Sequence, residues 1–337
     1  MIRAAIVGIG SWARVLVNSV QGKSRSIRFT TGFTRTPAAA EAFCAERGIA
    51  LAPDLESVLA DPEIDALVFA TPHSRHAEEV IACAGAGKNV FMEKPFTLDS
   101  KSAERAIRAV ERAGVVLAVG FPRRFHPAVK ELEARIADGR LGKIGYCTSE
   151  QSTSSALAMP GHHWRADPQE SPAGAMTALG VHNLDLMIAL FGRIAEVYCV
   201  TRSRGSDRTD TTGVLIGFEN GMAANLFCSI ATTVSYRFAV FGNKGAVAIE
   251  TPGLAFRFTA LPDPGAPGRP QPPEPELLTY KGFDMVAAEL EAFAAAAESG
   301  SPYPISAGDV LHGVEALEAI ARSAEQGIPV KLKPGSH

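Results

Sequence analysis

A glycine motif directly after the first apolar run has the spacing of a dinucleotide-binding turn. Ile2–Val7 is followed by Gly8-Ile9-Gly10-Ser11-Trp12-Ala13, which matches the pattern G-x-G-x-x-G/A. Gly8 permits the tight turn, Gly10 lets backbone approach a pyrophosphate, and Ala13 is small enough for close contact between helix and strand. The helix start would offer N–H groups and a positive dipole end to the phosphates. The same residues also suit an ordinary tight turn, so the flanking elements must decide.

The residues after the second apolar run bear on which dinucleotide would bind. An NAD site places Asp or Glu about 20 residues after the glycine motif, where it accepts a hydrogen bond from the ribose 2′-hydroxyl. This sequence has Thr34-Arg35-Thr36 there and no carboxylate. Arg35 can pair with a 2′-phosphate, and the two threonines can donate hydrogen bonds to it. The alternative is that Arg35 is a solvated residue at a helix entry. We predict NADP as the cofactor, with NAD as the alternative.

Lys94 and His182 have side chains of types that can transfer protons. Hydride transfer between a carbinol carbon and nicotinamide must be matched by a proton that leaves or reaches the oxygen. Histidine can handle that proton near neutral pH, and so can a lysine whose pKa is lowered by burial. A lysine that stays charged would instead stabilise developing alkoxide charge. Taken alone, His182 would also suit the core, and Glu93-Lys94-Pro95 would suit an exposed ion pair before a turn.

Short apolar runs alternate with helical patterns through the first 120 residues. The runs are continuous, as in strands buried on both faces of a parallel sheet, and lie at Ile2–Val7, Ile27–Phe33, Ala66–Ala70, Asn89–Met92 and Val115–Val119. Helices are predicted from Thr36-Pro37 to Gly48, and from Asp99 or Ser100 to Gly114. This order predicts a doubly wound parallel sheet, a Rossmann domain over residues 1–122.

Two polar motifs follow strands of this predicted sheet. Thr71-Pro72-His73 comes after the third major apolar run, and Glu93-Lys94-Pro95 comes after the next one. The carboxyl ends of parallel strands are where open α/β sheets bind ligands. Both motifs are therefore placed to contact a bound cofactor or substrate.

The pattern changes beyond residue 122. Strand-like segments there follow one another with turns between them, and Glu219-Asn220-Gly221-Met222 carries an Asn-Gly hairpin signal. We predict an α+β domain over residues 123–337 with a largely antiparallel sheet and helices at Phe283–Glu298 and Gly308–Gln326. The Pro-rich stretch Pro262–Pro275 is interpreted as a loop, with a polyproline ligand as the alternative.

Composition excludes several classes of protein. The chain has 337 residues, of which 46% are hydrophobic and 20% charged, so a disordered chain is excluded. A net charge of −3 does not provide the excess of positive charge that is typical of proteins that bind nucleic acid or an anionic membrane surface. The five cysteines lie at wide spacings without C-x-x-C, which disfavours disulfides and structural zinc. We expect a cytoplasmic protein without a metal, a nucleic-acid partner or a membrane partner.

The combination of motifs resembles the glucose–fructose oxidoreductase / inositol dehydrogenase (Gfo/Idh/MocA) family. The resemblance rests on the glycine motif, Thr71-Pro72 with His76, and Glu93-Lys94-Pro95. It continues through Gly120–Phe125, Gly139–Ile144, Trp164-Arg165 and Gly174–Asp185, nearly the whole chain. It implies an NAD(P)-dependent oxidoreductase acting on a sugar, inositol, related polyol or keto-sugar. Such proteins often pair through the open sheet of the second domain, so a homodimer or homotetramer is expected. Val214, Ile216 and Phe218 alternate on one strand of that sheet, and a covering is expected on one face.

The resemblance also implies roles for individual residues. Lys94 matches a lysine that reaches the substrate hydroxyl beside the nicotinamide, after a peptide bond to Pro95 that is cis in relatives. His182 matches the usual proton donor or acceptor. Residues matching the cofactor cleft are Thr71, Pro72, His76, Glu93 and Arg123, and residues matching the substrate side are Arg124, Trp164 and Arg165. His162 and His163 precede that last pair and are expected near it.

One position departs from the family pattern. The family often has Asp four residues before the histidine, and this chain has Ala178. Asp185 or Thr177 is a candidate substitute for supporting the His182 ring. Ala178 supports one alternative to the dehydrogenase, a catalytically silent ligand sensor on the same fold. A second alternative is a hydrolase that oxidises a sugar transiently with retained NAD.

Overall fold

Continuous apolar runs form a parallel sheet at the start of the chain. The computed structural model describes residues 1–158, 163–262 and 273–335. Six strands lie in the order β3-β2-β1-β4-β5-β6, and all of their pairings are parallel. They are β1 (Ile2–Val7), β2 (Ile27–Phe33), β3 (Ala50–Leu51), β4 (Ala66–Phe69), β5 (Asn89–Met92) and β6 (Leu117–Val119). The inner strand β4 is buried along its whole length, which explains its unbroken apolar sequence.

Helices connect these strands, as the doubly wound prediction requires. They are α1 (Ser11–Val20), α2 (Glu41–Arg47), α3 (Leu55–Ala60), α4 (His76–Gly85) and α5 (Ser100–Ala113). Asp99 caps α5 by accepting a hydrogen bond from the Ser102 amide, and Gly114 ends it at a φ of 67°. The single helix predicted from Thr36 to Gly48 is wrong in one respect. A 3₁₀ turn at Pro37–Ala39 precedes α2, and the Thr36 side chain makes no capping bond.

A second sheet of mixed, mostly antiparallel strands confirms the predicted change of pattern. Its order is β14-β13-β12-β11-β7-β10-β9-β8-β15, and only the β7–β10 pairing is parallel among the described strands. The strands are β7 (Ile144–Ser152), β8 (Ile194–Arg202), β9 (Thr211–Phe218), β10 (Ala223–Ser229), β11 (Ser235–Gly242), β12 (Gly245–Glu250), β13 (Ala255–Ala260), β14 (Glu276–Leu278) and β15 (Val330–Lys331). Helices α6 (Pro127–Ala137) and α7 (Val181–Phe191) belong to the same unit.

The chain divides into two compact units whose boundaries differ from the expected domains in one segment. The first unit consists of residues 1–122 and 284–314, and the second unit consists of residues 123–283 and 315–337. The segment 284–314 includes α8 (Met285–Ser299), which packs against α1, β1 and β2, and Phe293 contacts Phe91 edge to face. We predicted this segment as part of the second domain, whereas in the structure the buried face of α8 covers the parallel sheet. The last helix, α9, spans Ala307–Gln326.

One face of the second sheet is buried and the other carries exposed apolar side chains. Val214, Ile216 and Phe218 on β9 are at most 4% exposed, so this alternating set faces the core. The covering expected on that face is supplied by the chain itself.

Residues 263–272 of the predicted Pro-rich loop lie outside the described residues. In the part that the structure describes, no helix is both long and apolar enough to cross a membrane.

Candidate active site

The glycine turn has the shape that a dinucleotide pyrophosphate needs. Gly8 has a φ of +83°, and a Cβ there would lie 2.8 Å from the Ala70 carbonyl oxygen. At Gly10 a Cβ would meet nothing within 4 Å, so the missing side chain leaves open space beside the first turn of α1. Gly10 has no side chain that could accept hydrogen bonds from the backbone amides in the first turn of α1. Ala13 is fully buried. The turn therefore fits a bound NAD(P).

The remaining residues of the motif play unequal parts. Ile9 is 6% exposed and lies over Gly32, where a Cβ would be 2.9 Å from the Ile9 Cδ1 atom. Its side chain packs in the core, which leaves its backbone to face the turn. Ser11 is exposed and Trp12 is half-buried. The sequence motif thus mixes positions that shape the turn with positions that fix it to β2.

Two loops flank the glycine turn because three strand ends meet there. Val7 is in register with Phe33 on β2 and with Phe69 on β4. The Gly8 amide donates to the Phe33 carbonyl at 2.9 Å, and the Ala70 amide donates to the Val7 carbonyl at 2.9 Å. The loop that begins with Thr34, which is half-buried, continues through the exposed residues Arg35 and Thr36. This loop therefore begins beside the turn.

The loop after β4 is fixed by buried polar contacts. His76 is fully buried, with Nδ1 2.9 Å from the Pro95 carbonyl oxygen and Nε2 3.2 Å from the Thr71 carbonyl oxygen. The ring therefore does not line the cleft directly, in contrast to the sequence expectation. It instead ties the Thr71-Pro72 backbone to the loop that follows β5.

The Glu-Lys-Pro motif is built around a buried carboxylate. Glu93 accepts a hydrogen bond from the Trp12 indole N–H and lies 3.2 Å from the Lys94 amide nitrogen. It is 6% exposed and lies against Gly120, where a Cβ would be 3.0 Å from Oε1. The Lys94–Pro95 peptide is cis, as expected, and the Lys94 side chain is half-buried. Glu93 therefore links the glycine helix to the loop that carries the candidate catalytic lysine.

In the second unit, two adjacent arginines hold the start of α7. The Arg124 guanidinium makes two bonds of 2.8 Å to the carboxylate of Asp185. Arg123 donates to the Asn183 side-chain oxygen at 2.9 Å and lies 4.5 Å over the Tyr236 ring. Burial lowers the pKa of Arg123 and raises that of Tyr236. Both arginines were predicted to bind ligands, and in the structure Arg124 pairs with Asp185 while Arg123 contacts Asn183 and Tyr236.

His182 lies at the second position of α7, directly after a π-helical turn. That turn spans Met176–Gly180 and contains Ala178, which is half-buried. Such turns are frequent at functional sites. Thr177 donates its hydroxyl to the Pro172 carbonyl and is fully buried, while both Asp185 oxygens accept from Arg124. Each candidate substitute for the family carboxylate thus has a firm partner elsewhere.

Trp164 and Arg165 form a stacked group with the histidine before them. The Arg165 guanidinium lies 4.2 Å from the centre of the Trp164 ring, and the His163 ring stacks with the Trp164 ring at a centroid distance of 5.9 Å. His163 Nδ1 also accepts from the Arg165 amide at 3.2 Å, which starts the short 3₁₀ turn. All three side chains are half-buried. His162 lies outside the described residues.

The predicted site residues are divided between the two compact units. The glycine turn, Thr34–Thr36, Thr71, Pro72, Glu93 and Lys94 belong to the first unit, and Arg123, Arg124, Trp164, Arg165 and His182 belong to the second. Within residues 1–158, 163–262 and 273–335, no group of three or more His, Cys, Asp or Glu side chains could hold a metal ion. Asn183 and Glu79 were not predicted as site residues. For Glu79 the signal in the sequence was its position four residues after Arg75, which favours an ion pair on one face of a helix.

Family models match both parts of the chain. Residues 2–121 match an oxidoreductase family model described as an NAD-binding Rossmann fold, and residues 129–248 match the GFO/IDH/MocA C-terminal domain. The chain belongs to the Gfo/Idh/MocA family. As a Gfo/Idh/MocA protein it is an enzyme, a nicotinamide-dependent oxidoreductase. This confirms the family and the fold that the motifs indicated.

Individual relatives align with this Gfo/Idh/MocA protein over nearly their whole length. An inositol 2-dehydrogenase of Rhizobium meliloti (strain 1021) is 28% identical over 334 residues, which cover 96% of this chain and 97% of the relative. A scyllo-inositol 2-dehydrogenase (NAD(+)) of Bacillus subtilis (strain 168) is 28% identical over 350 residues, which cover 98% and 96%. The crystal structure of a putative NADPH-dependent oxidoreductase from Desulfitobacterium hafniense DCB-2 has a TM-score of 0.89 at 22% identity, with 98% and 97% covered. This last likeness shows a shared fold.

Proposed function

We propose that this enzyme transfers a hydride between NADP and a sugar, inositol, related polyol or keto-sugar. The observation that carries the cofactor preference is Arg35, exposed between two threonines in the loop after β2. The loop lies beside a glycine turn that fits a pyrophosphate, and it offers no carboxylate to a ribose 2′-hydroxyl. A guanidinium and two hydroxyls there favour a 2′-phosphate.

The bound nicotinamide would supply or accept the hydride, and the chain's own residues would handle the proton. Lys94 follows β5 at the ligand-binding edge of the parallel sheet, held by the buried contacts of Glu93. We assign Lys94 to the substrate oxygen, where it donates a hydrogen bond or stabilises alkoxide charge. We assign His182 to proton transfer at the same oxygen. The stacked Trp164 and Arg165 pair is assigned to substrate binding.

The substrate class is supported by the names of the relatives. Both relatives described above are inositol 2-dehydrogenases, aligned over at least 96% of their length. An inositol ring presents several secondary hydroxyl groups, each of which can be oxidised by the same chemistry. One of these relatives is named for NAD(+), so the cofactor has to be tested separately from the substrate.

The experiment that tests this proposal is a substrate screen with both cofactors. Inositols, polyols and keto-sugars are incubated with the purified enzyme and either NADP(H) or NAD(H), and the absorbance of reduced nicotinamide is followed. We expect net turnover with NADP(H) that exceeds turnover with NAD(H). Release of a glycan leaving group without net reduction would identify the hydrolase instead. Ligand binding without either reaction, together with the missing acid at Ala178, would identify a sensor.

We also propose that the enzyme forms a homodimer or homotetramer through the open face of its second sheet. Leu215 lies opposite Tyr198 in the β8–β9 pairing, and Phe227 lies opposite Gly213 in the β9–β10 pairing. Leu215 is 58% and Phe227 56% exposed. The Phe227 ring lies over Gly213, where a Cβ would be 2.6 Å from it. Neighbouring apolar side chains on one face form the kind of patch that a second copy covers.

A further inference from the structure

A buried carboxylate beside the glycine turn has no part in the chemistry proposed above. Glu79 lies in the first turn of α4 and is 4% exposed. One of its oxygens accepts a hydrogen bond of 2.5 Å from the Thr71 hydroxyl group, and the other lies 2.9 Å from Nε of Arg75. A carboxylate is rarely buried unless it is paired, so the contacts with Thr71 and Arg75 are what allow Glu79 to be buried.

The pair is connected to the glycine turn through one residue. A Cβ at Gly8 would lie 2.9 Å from the Thr71 Cγ2 atom, so Thr71 packs directly on the turn while its hydroxyl holds Glu79. Arg75 is 40% exposed at its side chain, whereas its partner is buried. The buried carboxylate thus fixes an exposed guanidinium at the ligand-binding edge of the parallel sheet.

Arg35 approaches the same carboxylate from the neighbouring loop. The strands that precede the two arginines, β2 and β4, both flank β1, and both are in register with Val7. Burial raises the pKa of Glu79, and the positive charges of Arg75 and Arg35 oppose this effect. Arg75 therefore pairs directly with Glu79, while Arg35 affects the same carboxylate through its charge alone.

The charges at this location do not balance within the protein. Among the described residues, Glu79 is the only carboxylate within 4.0 Å of the Arg75 nitrogens, and Arg35 has no carboxylate within that distance. Two positive charges against one negative charge leave an excess of one. A phosphate monoester carries about −1.5 to −2 charges at pH 7 and accepts several hydrogen bonds, so it would complete the group.

We propose that Arg75, positioned by Glu79, is a second specificity-determining residue for the 2′-phosphate of NADP, beside Arg35. The proposal rests on the NADP preference proposed above and extends it to the loop after β4. Nε of Arg75 lies 2.9 Å from Glu79, and the Arg75 side chain is 40% exposed, so the rest of its guanidinium can be reached by a ligand. The fixed partner lowers the conformational entropy that the side chain loses on binding.

Calorimetric titration of the full chain with NADP⁺ and with NAD⁺ tests this assignment without relying on activity. The two ligands differ only in the 2′-phosphate. We expect Arg75→Ala to weaken NADP⁺ binding about ten-fold or more and to leave NAD⁺ binding unchanged, as for the loss of one charge-assisted contact. Arg108→Ala is the matched control, since it removes one exposed guanidinium from α5 that pairs with Glu104. It should leave both affinities unchanged.

A double variant separates the loss of the contact from the exposure of Glu79. Arg75→Gln combined with Glu79→Gln removes both charges, so no buried carboxylate is left without its arginine. We expect the same selective loss of NADP⁺ affinity, with a thermal melting curve close to that of the wild type. Equal weakening of NADP⁺ and NAD⁺ in both variants would overturn the proposal and make Arg75 a structural residue.

The role of Arg75 can fail independently of the cofactor preference. Selective loss of NADP⁺ affinity in Arg35→Ala, with no change in Arg75→Ala, would overturn the role of Arg75 alone. A wild-type enzyme that binds NAD⁺ as tightly as NADP⁺ would overturn the cofactor preference, and the role of Arg75 with it.

Discussion

Arg124 and Asp185 are joined by two parallel hydrogen bonds of 2.8 Å, and both side chains are buried. Asp185 is three residues beyond His182 on α7, one turn of helix along. Arg124 follows the end of the parallel sheet by five residues. This ion pair therefore fixes the helix that carries the candidate catalytic histidine to the segment where the second unit begins.

Breaking that pair is expected to destabilise the protein. Asp185→Ala leaves a buried guanidinium without its carboxylate, which should lower the free energy of unfolding by about 3–5 kcal/mol. Chemical denaturation of the wild type and the variant measures the difference. Glu104→Ala breaks an exposed pair with Arg108 and serves as the control, with an expected cost below about 1 kcal/mol. Similar costs for the two variants would show that the buried pair is not a main support of α7.

Cofactor preference should depend on Arg35. Arg35→Ala removes a contact to the 2′-phosphate alone, so it should weaken NADP binding by roughly ten- to hundred-fold and leave NAD binding nearly unchanged. Dissociation constants for both cofactors check this. Equal weakening of both cofactors would refute the assignment of Arg35.

Turnover should depend on Lys94. Lys94→Ala should lower the rate by about 10²–10⁴ because one positioned electrostatic or acid–base group is lost. Binding of the adenosine half of the cofactor should be retained, since the glycine turn and its supporting contacts are unchanged. Steady-state rates together with calorimetric binding distinguish the two effects. A variant that loses cofactor binding as severely as turnover would place Lys94 in the structure of the loop rather than in catalysis.

The missing family carboxylate gives a prediction about pH. Ala178→Asp would place a negative charge four residues before His182, and such a charge favours the imidazolium form and raises the histidine pKa. If His182 is the base in alcohol oxidation, it must be neutral, so the acid limb of the kcat/KM profile should move to higher pH. Ala178→Asn is the matched control without charge. An unchanged profile in a folded, active Ala178→Asp variant would remove His182 as the titrating group.

The exposed sheet face gives a prediction about assembly. Leu215→Arg introduces a charge at the centre of the apolar patch, so it should shift the enzyme toward monomer in light scattering coupled to gel filtration. Val15→Arg changes an exposed valine of the first unit, 41% exposed on α1, and should leave the assembly unchanged. A wild-type enzyme that is already monomeric would contradict the proposed oligomer.

Local patterns predicted most of the first unit. The alternation of apolar runs with helical patterns predicted the parallel sheet. The glycine spacing predicted the tight turn at Gly8, where the backbone has a positive φ that favours glycine. Both signals lie within about 30 residues, the size of one βαβ unit. Capping residues likewise marked the ends of α5 correctly, because they act on the neighbouring backbone.

Contacts between distant residues could not be predicted in this way. His76 seemed a cleft residue because of its position after Pro72, but its burial depends on the Pro95 carbonyl 19 residues away. Arg123 and Arg124 were predicted to bind ligands, and the sequence did not reveal their partners Asn183 and Asp185, which lie about 60 residues further on. Similarly, the apolar face of α8 does not reveal which of two sheets it covers.

The return of α8 to the parallel sheet has a consequence for how the protein can be synthesised and dissected. A ribosome releases residues 1–122 well before Phe293 is available to cover Phe91. The nucleotide-binding half therefore lacks the contacts of α8 until most of the polypeptide has been synthesised. It differs in this respect from proteins whose first domain folds during translation. For the same reason, a fragment cut at Pro122 would present an apolar surface to water. A useful minimal version would have to graft residues 284–314 onto that fragment through a new linker.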